Sequence, residues 1–389
     1  MNLRLPPIPK IYRNVLILTS PLTKILLLIV MFFGVHNYFD AYDYQLYYSA
    51  MQNIFSGSLP WANNIPILYP PFSFVPMIIS YVISLITSSP TWFFVSMWVL
   101  LSICDIIIAF CIYYIGLKLY SKQTSFIAAL LYSTAISVMF FSLTKFDAFP
   151  TCIMMLAILF TIYGEKEKGY LFSIIGLFTK IWPIVAYPFL WMYNSAIGSY
   201  KQAVLYLVGA GILFAIMIYS GYSVLSVFTN FVYCNTIVFT INQYLVMVGI
   251  VLPFDILVTV FRILLIGILI GLMFYQYKNK KDVSTLLKVI LVAIMSIVFM
   301  IQYRSPQYNV WFIPIAALLL ANRWWGIITF IGVQILCFIE FPVIWGSIYV
   351  NDNYTSPLAL WFFTIYFIIM GVFLIMCLKF DGRKHETFE

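Results

Sequence analysis

The sequence has little charge: only 9% of its 389 residues are Asp, Glu, Lys or Arg, where soluble domains carry roughly a quarter. That shortage excludes a water-facing globular chain, because too little polar surface is available to cover a core. Paired cysteine spacing is also missing. The six cysteines (104, 111, 152, 234, 337 and 377) are scattered, mostly inside apolar runs, with neither a metal-site pattern nor a disulfide framework. They read as small buried hydrophobes. The opening MNLRLPPIPKIYRN lacks the basic start, apolar centre and small-residue cleavage site of a signal peptide, so the first apolar segment is expected to remain as a helix. No low-complexity segment or short-period repeat is visible.

What the chain has in abundance is apolar surface, at 63% of residues. The bilayer is therefore its solvent, and at ~20 residues per span the length accommodates about ten to twelve crossings. The fold expected is an all-α polytopic bundle forming one transmembrane domain over 1–389. Spans are expected near 22–38, 91–115, 124–142, 148–163, 203–220, 255–277, 284–301, 308–321, 326–345 and 357–378. The segment 222–250, aromatic and uncharged, reads as an outer loop or interfacial helix. The net charge of +8 does not imply nucleic acid, because the basic residues occupy short interhelical loops rather than one patch.

Those loops set the orientation, since Lys and Arg gather on the cytoplasmic side. Placing the N-terminus inside (Arg4, Lys10, Arg13, Lys24) puts the loop 39–90 outside, and 38–90 contains no Lys or Arg. Lys118 and Lys122 then fall inside only if the apolar stretch 72–87 lies along the outer interface as a juxtamembrane helix. Lys201 and the run Lys278, Lys280, Lys281 fall inside only if 169–199, with Lys180 and Pro183 in mid-run, enters and returns or forms two short helices meeting near Lys180. With that topology the tail 379–389 is cytoplasmic. Of the 21 basic residues, all but Lys145, Lys180, Arg262 and Arg304 lie at the cytoplasmic side or edge. A broken helix at membrane depth is tolerated only where it is buried or lines a cavity.

The exceptions and the outer acids are the residues that suggest chemistry. Asp40 and Asp43, in YFDAYDYQLYYSA, are three apart, so a helix beginning there brings both to one face or to its positive end. Tyr44, Tyr47 and Tyr48 add aromatic surface, which suits a sugar. The alternative is a helix cap beside an interfacial aromatic belt. Asp147 follows Lys145 in SLTKFDAFP and shares the outer face with Asp43. Lys180, in LFTKIWPIV, is costly within hydrocarbon, unless it snorkels to the interface. Arg304 opens a span in QYRSPQYNVWFIP. Together Lys180 and Arg304 offer two cations near the outer leaflet, a pairing that suits a lipid-linked phosphate. Asp105, Asp255, Arg262 and Glu340 receive no role, and two acids three residues apart do not make a metal site.

In order, DYQLYYSA with its acid, SGSLPW, YPPFSF, TKFD, FTKIWP and RSPQYNVWFIP span about 36–315. This set resembles the GT-C superfamily of membrane glycosyltransferases. It is most similar to the polyprenyl-phosphate-mannose-dependent mannosyltransferases of bacteria and archaea and to the catalytic subunit that adds the first mannose to GPI anchors. The chain departs from that pattern at Thr144-Lys145, where the family has Gly-Gln, and at Ala41, where the GPI relatives have the first acid of Asp-x-Asp.

The resemblance implies a GT-C-like bundle and an inverting hexose transfer, mannose by likeness, from a polyprenyl-phosphate sugar donor to a glycolipid or glycan acceptor. It implies Asp43 as base with Asp40 secondary, and Lys180 and Arg304 at the donor phosphate. Asp147, Lys145, Tyr47, Tyr69, Gln307 and Tyr308 would stand around the sugar or acceptor. No cofactor is firmly implied; members of the superfamily differ in metal dependence, which leaves a divalent metal open. The expected location is the cell membrane of a prokaryote, with both termini cytoplasmic. The rival reading is a transporter or lipid flippase, which would place its polar groups near the midplane and show inverted repeats. The Asn353 to Thr355 sequon falls in an expected outer loop.

Overall fold

The computed structural model describes residues 5–34, 42–58, 69–194, 197–219, 236–301, 304–344 and 356–379. Asp40, Cys234 and the Asn353 to Thr355 sequon lie outside them. The protein is an all-α polytopic membrane protein, and every regular element among the described residues is helical. The helices are α1 (Lys10–Gly34), α2 (Tyr42–Phe55), α3 (Phe74–Ile86), α4 (Thr91–Gly116), α5 (Lys122–Ser133), α6 (Ile136–Thr144), α7 (Ala148–Ile162) and α8 (Lys166–Thr179). They continue with α9 (Ala186–Asn194), α10 (Ile197–Tyr219), α11 (Ile237–Met247), α12 (Phe254–Lys278), α13 (Val283–Met300), α14 (Asn309–Leu320), α15 (Trp324–Phe338) and α16 (Pro357–Leu378). Seven of these are long and apolar enough to cross a bilayer. An eighth span results if α5 and α6, bent by 48°, count as one. Reaching ten requires shorter apolar helices, such as Ala148–Ile162 and Pro306–Leu320, to cross as well.

Side-chain oxygens cap several helix starts. Ser121 accepts from the Thr124 N–H, Asp282 from Ser284 and Thr285, and Ser356 from Ala359, with Pro357 in the first turn. Each cap satisfies donors that the helix itself cannot. Packing follows from how the apolar residues are distributed. Helix α14 is apolar on nearly every side and all twelve of its residues are buried, so it forms the axis of the bundle. In α12 only Leu257, Val258 and Gln276 are buried; its exposed Ile, Leu and Phe side chains face lipid.

The bundle has two chemically different ends. At one, Tyr12 stacks on Phe126 at 4.2 Å, Lys118 lies 4.4 Å over Tyr163, Tyr120 donates to the Leu318 carbonyl at 2.6 Å, and Gln202 donates to Glu167 at 2.6 Å. These contacts gather the starts of α1, α8 and α10, the α4–α5 turn and the end of α14, together with Lys118, Lys122, Lys166, Lys168 and Lys201. The breaks carrying Lys145, Lys180 and Arg304 lie at the opposite end.

Helix α1 starts at Lys10, not near 22, because Pro21 is accommodated within it, as prolines are where neighbouring groups satisfy the freed backbone. Lys24 is therefore not a loop charge. It is buried within the bundle in an ion pair with Asp105 of α4. Ser102 lies 3.1 Å from its nitrogen, and Tyr132 donates to the second Asp105 oxygen at 2.6 Å. The pair has the satisfied partners that buried charges require. Removing one partner, as in Asp105→Leu, should destabilise the protein by about 3–5 kcal/mol, and Lys24→Met with Asp105→Leu by much less; thermal unfolding of the two variants and the wild type in detergent measures this. Cysteine probes at Ser89 and Ser121, which flank α4, should label from opposite sides of sealed vesicles.

Candidate active site

Two prolines build the site by stopping helices, and a third opens the turn that follows a further break. If α6 ran into α7, the Pro150 ring would meet the Phe146 carbonyl; if α8 continued, Pro183 would meet that of Thr179. Helix α6 accordingly ends at Thr144 and α8 at Thr179, and Pro183 sits in a 3-10 turn, Trp182–Val185. A third break, at Arg304, precedes the 3-10 turn Pro306–Tyr308. Lys145 (φ −136°, ψ 159°) and Lys180 (φ −159°, ψ 130°) are thereby left in extended backbone between helix ends. Gly176 permits the second break: a Cβ there would lie 2.8 Å from Pro183 Cβ.

The three residues between α6 and α7 hold two ion pairs. Lys145 reaches Asp43 in the first turn of α2 at 3.0 Å, and Asp147 meets Lys180 at 2.7 Å. The α2 dipole favours a carboxylate where Asp43 stands. Tyr47, one turn on, donates to the second Asp43 oxygen at 3.3 Å. Burial first, then the Asp43 charge, pushes the Tyr44 and Tyr47 hydroxyls well above the usual phenol range. Tyr47 therefore stays protonated and keeps donating. The pairs differ in access: the Asp43 side chain is 18% exposed and that of Asp147 1%.

Aromatic rings wall the inner pair. Lys180 lies 5.1–5.3 Å from the centroids of Tyr69, Phe146, Tyr308 and Trp311, within cation–π range of each. Trp311 stacks between Tyr308 (4.0 Å) and Trp182 (4.5 Å) and donates its indole N–H to Asp147 Oδ1 at 2.6 Å. Asp147 Oδ1 thus serves two donors, while Oδ2 is buried without one among the described residues. Gln307 is buried in the turn beside Tyr308.

Arg304, expected at the donor phosphate, is already engaged by side chains of the bundle. It is 0% exposed and forms a two-pronged ion pair with Glu340, with Asn309 Oδ1 at 3.2 Å and the Tyr366 hydroxyl at 2.6 Å. A guanidinium already engaged in this way ties the end of α15 to α14 and α16. Asp43, Lys145, Asp147, Lys180, Tyr47, Tyr69 and Tyr308 do come together. Phe146, Trp182 and Trp311 belong to the site but were not singled out from the sequence. Each lies within three residues of one that was, and an aromatic residue so near a membrane-embedded lysine is the signal that points to a cation–π wall. No group of three or more metal-ligating side chains converges among the described residues.

Trp311→Phe keeps the ring wall and deletes one of the two donors to Asp147; it should cost about 1.5–3 kcal/mol of stability, the range for a hydrogen bond to a charged group, measured by thermal unfolding in nanodiscs. No protein-family model matches the chain, and no curated protein matches it in sequence.

Proposed function

We propose that the protein is a membrane glycosyltransferase of GT-C type, moving a hexose from a polyprenyl-phosphate donor to a hydroxyl of a glycolipid or glycan. The observation that carries this reading is the pair of carboxylate–lysine contacts, Asp43–Lys145 and Asp147–Lys180, held side by side among aromatic rings at one end of the bundle. A hydroxyl is a poor nucleophile until a positioned base takes its proton as the new bond forms. Asp43, half-buried and held by Tyr47 and Lys145, is that base. Attack on the anomeric carbon from the face opposite the phosphate inverts its configuration. The departing phosphate gains charge and needs no proton, so nearby cations stabilise it. The stacked rings suit a sugar face, and Asp147 Oδ2, a buried acceptor with no donor, suits a sugar hydroxyl.

The orientation follows from charge. The lysine-rich end faces the cytoplasm and the site opens on the extracytoplasmic side of a prokaryotic cell membrane. The Lys24–Asp105 pair, the sort of intramembrane charge a transporter would use, is closed by its own partners and serves the bundle.

Asp43→Asn should lower kcat by about 10²–10⁴-fold without loss of donor binding, assayed in nanodiscs with polyprenyl-phosphate-mannose or -glucose and a panel of glycolipid acceptors. Full activity in that variant removes Asp43 as the base. Donor translocation across vesicles without sugar transfer favours the flippase.

A further inference from the structure

We propose that Lys145 is the cation that receives the donor phosphate, and that the phosphate takes it from Asp43 and so releases the base. This rests on the glycosyl-transfer reading and assigns a trigger to the same site. Of the three cations that the described residues hold in ion pairs at this end, Arg304 is fully buried on Glu340, Asn309 and Tyr366. Lys180 holds a carboxylate that is 1% exposed, within four ring faces. Drawing Lys180 away would leave Asp147, 1% exposed, as a buried charge with no cation and only the Trp311 N–H, a costly arrangement.

Lys145 is placed differently. Its partner is 18% exposed, so when the lysine leaves the carboxylate has solvent access as well as the Tyr47 donor. Because Lys145 occupies extended backbone between α6 and α7, its side chain can change partners without disturbing either helix. A phosphodiester entering here competes with Asp43 for the ammonium on equal chemical terms, since both are oxyanions that accept charge-assisted hydrogen bonds.

The exchange explains how one cluster can hold a base and a phosphate site that neutralise each other at rest. With Lys145 on the phosphate, Asp43 is left to accept from the acceptor hydroxyl. In the transfer step the acceptor O–H bond breaks and its proton goes to Asp43. The oxygen forms its bond to the anomeric carbon as the carbon–oxygen bond to phosphate breaks, and that electron pair leaves on the polyprenyl phosphate. Asp43, 18% exposed, then passes its proton to water and recovers Lys145 as the phosphate departs. Lys145 is a catalytic residue through its contact with the leaving group. It is also the positioning residue for Asp43, which makes donor binding precede productive acceptor binding.

The test uses the full-length protein in nanodiscs with polyprenyl monophosphate as probe, its affinity measured by microscale thermophoresis, alongside donor and acceptor KM. Lys145→Gln should weaken the probe by about tenfold or more, raising donor KM while acceptor KM stays the same. Lys145→Arg, which keeps the charge, should restore most of the affinity. Asp43→Asn should bind the probe more tightly than wild type, because the competitor for Lys145 has lost its charge. Wild-type affinity in Lys145→Gln, or weaker binding in Asp43→Asn, overturns the exchange even where wild type transfers sugar. If wild type transfers no sugar but binds the probe with this pattern, the exchange stands and the glycosyl-transfer reading falls.

Discussion

Two opposite charges, Lys145 and Asp147, separated by one phenylalanine in the turn between α6 and α7, hold this end of the molecule together. Lys145 fixes α2 of the first loop through Asp43, and Asp147 fixes the α8 break through Lys180. Phe146 lies between them, 5.8 Å from the Tyr47 ring, 4.7 Å from Tyr69 and 5.2 Å from the Lys180 ammonium. This turn gives the first-loop helix and the broken helix a common anchor. The turn depends on Pro150, which prevents α6 and α7 from joining.

A membrane bundle makes such charges costly and therefore informative. Three cations stand at this end in described ion pairs: Lys145 with Asp43, Lys180 with Asp147, and Arg304 with Glu340. The last two are closed, with additional hydrogen-bond donors or rings around them, and act as fixed elements. Only the first combines a partly exposed carboxylate with a lysine on irregular backbone. On the proposed function, that difference in access assigns the base role to Asp43 and a supporting role to the closed pairs.

Much of the architecture was legible in sequence because lipid solvation writes it in long apolar runs. The limits of α4, α13 and α16 fall within a residue or two of those expected, and Lys180 with Pro183 announced the break in 169–199. Pairings were less legible. The charge count placed Lys24 in a loop, whereas helix α1 extends through Pro21 and buries it against Asp105, a residue 81 positions away. Arg304 and Glu340 are 36 positions apart, and no local pattern connects them. Asp43, Asp147 and Lys180 could be singled out because each is a charge where apolar residues are the rule. Which lysine serves which carboxylate depends on how α2, α7 and α8 pack, a tertiary fact that spacing does not carry.

The most direct test of the account is the anomeric configuration of the transferred sugar. Wild-type protein in nanodiscs would be supplied with a polyprenyl-phosphate hexose of known anomer and a glycolipid acceptor, and the product linkage read by NMR. A single displacement assisted by Asp43 predicts complete inversion. A product with retained configuration would contradict it, because a single backside displacement assisted by a base inverts the anomeric carbon.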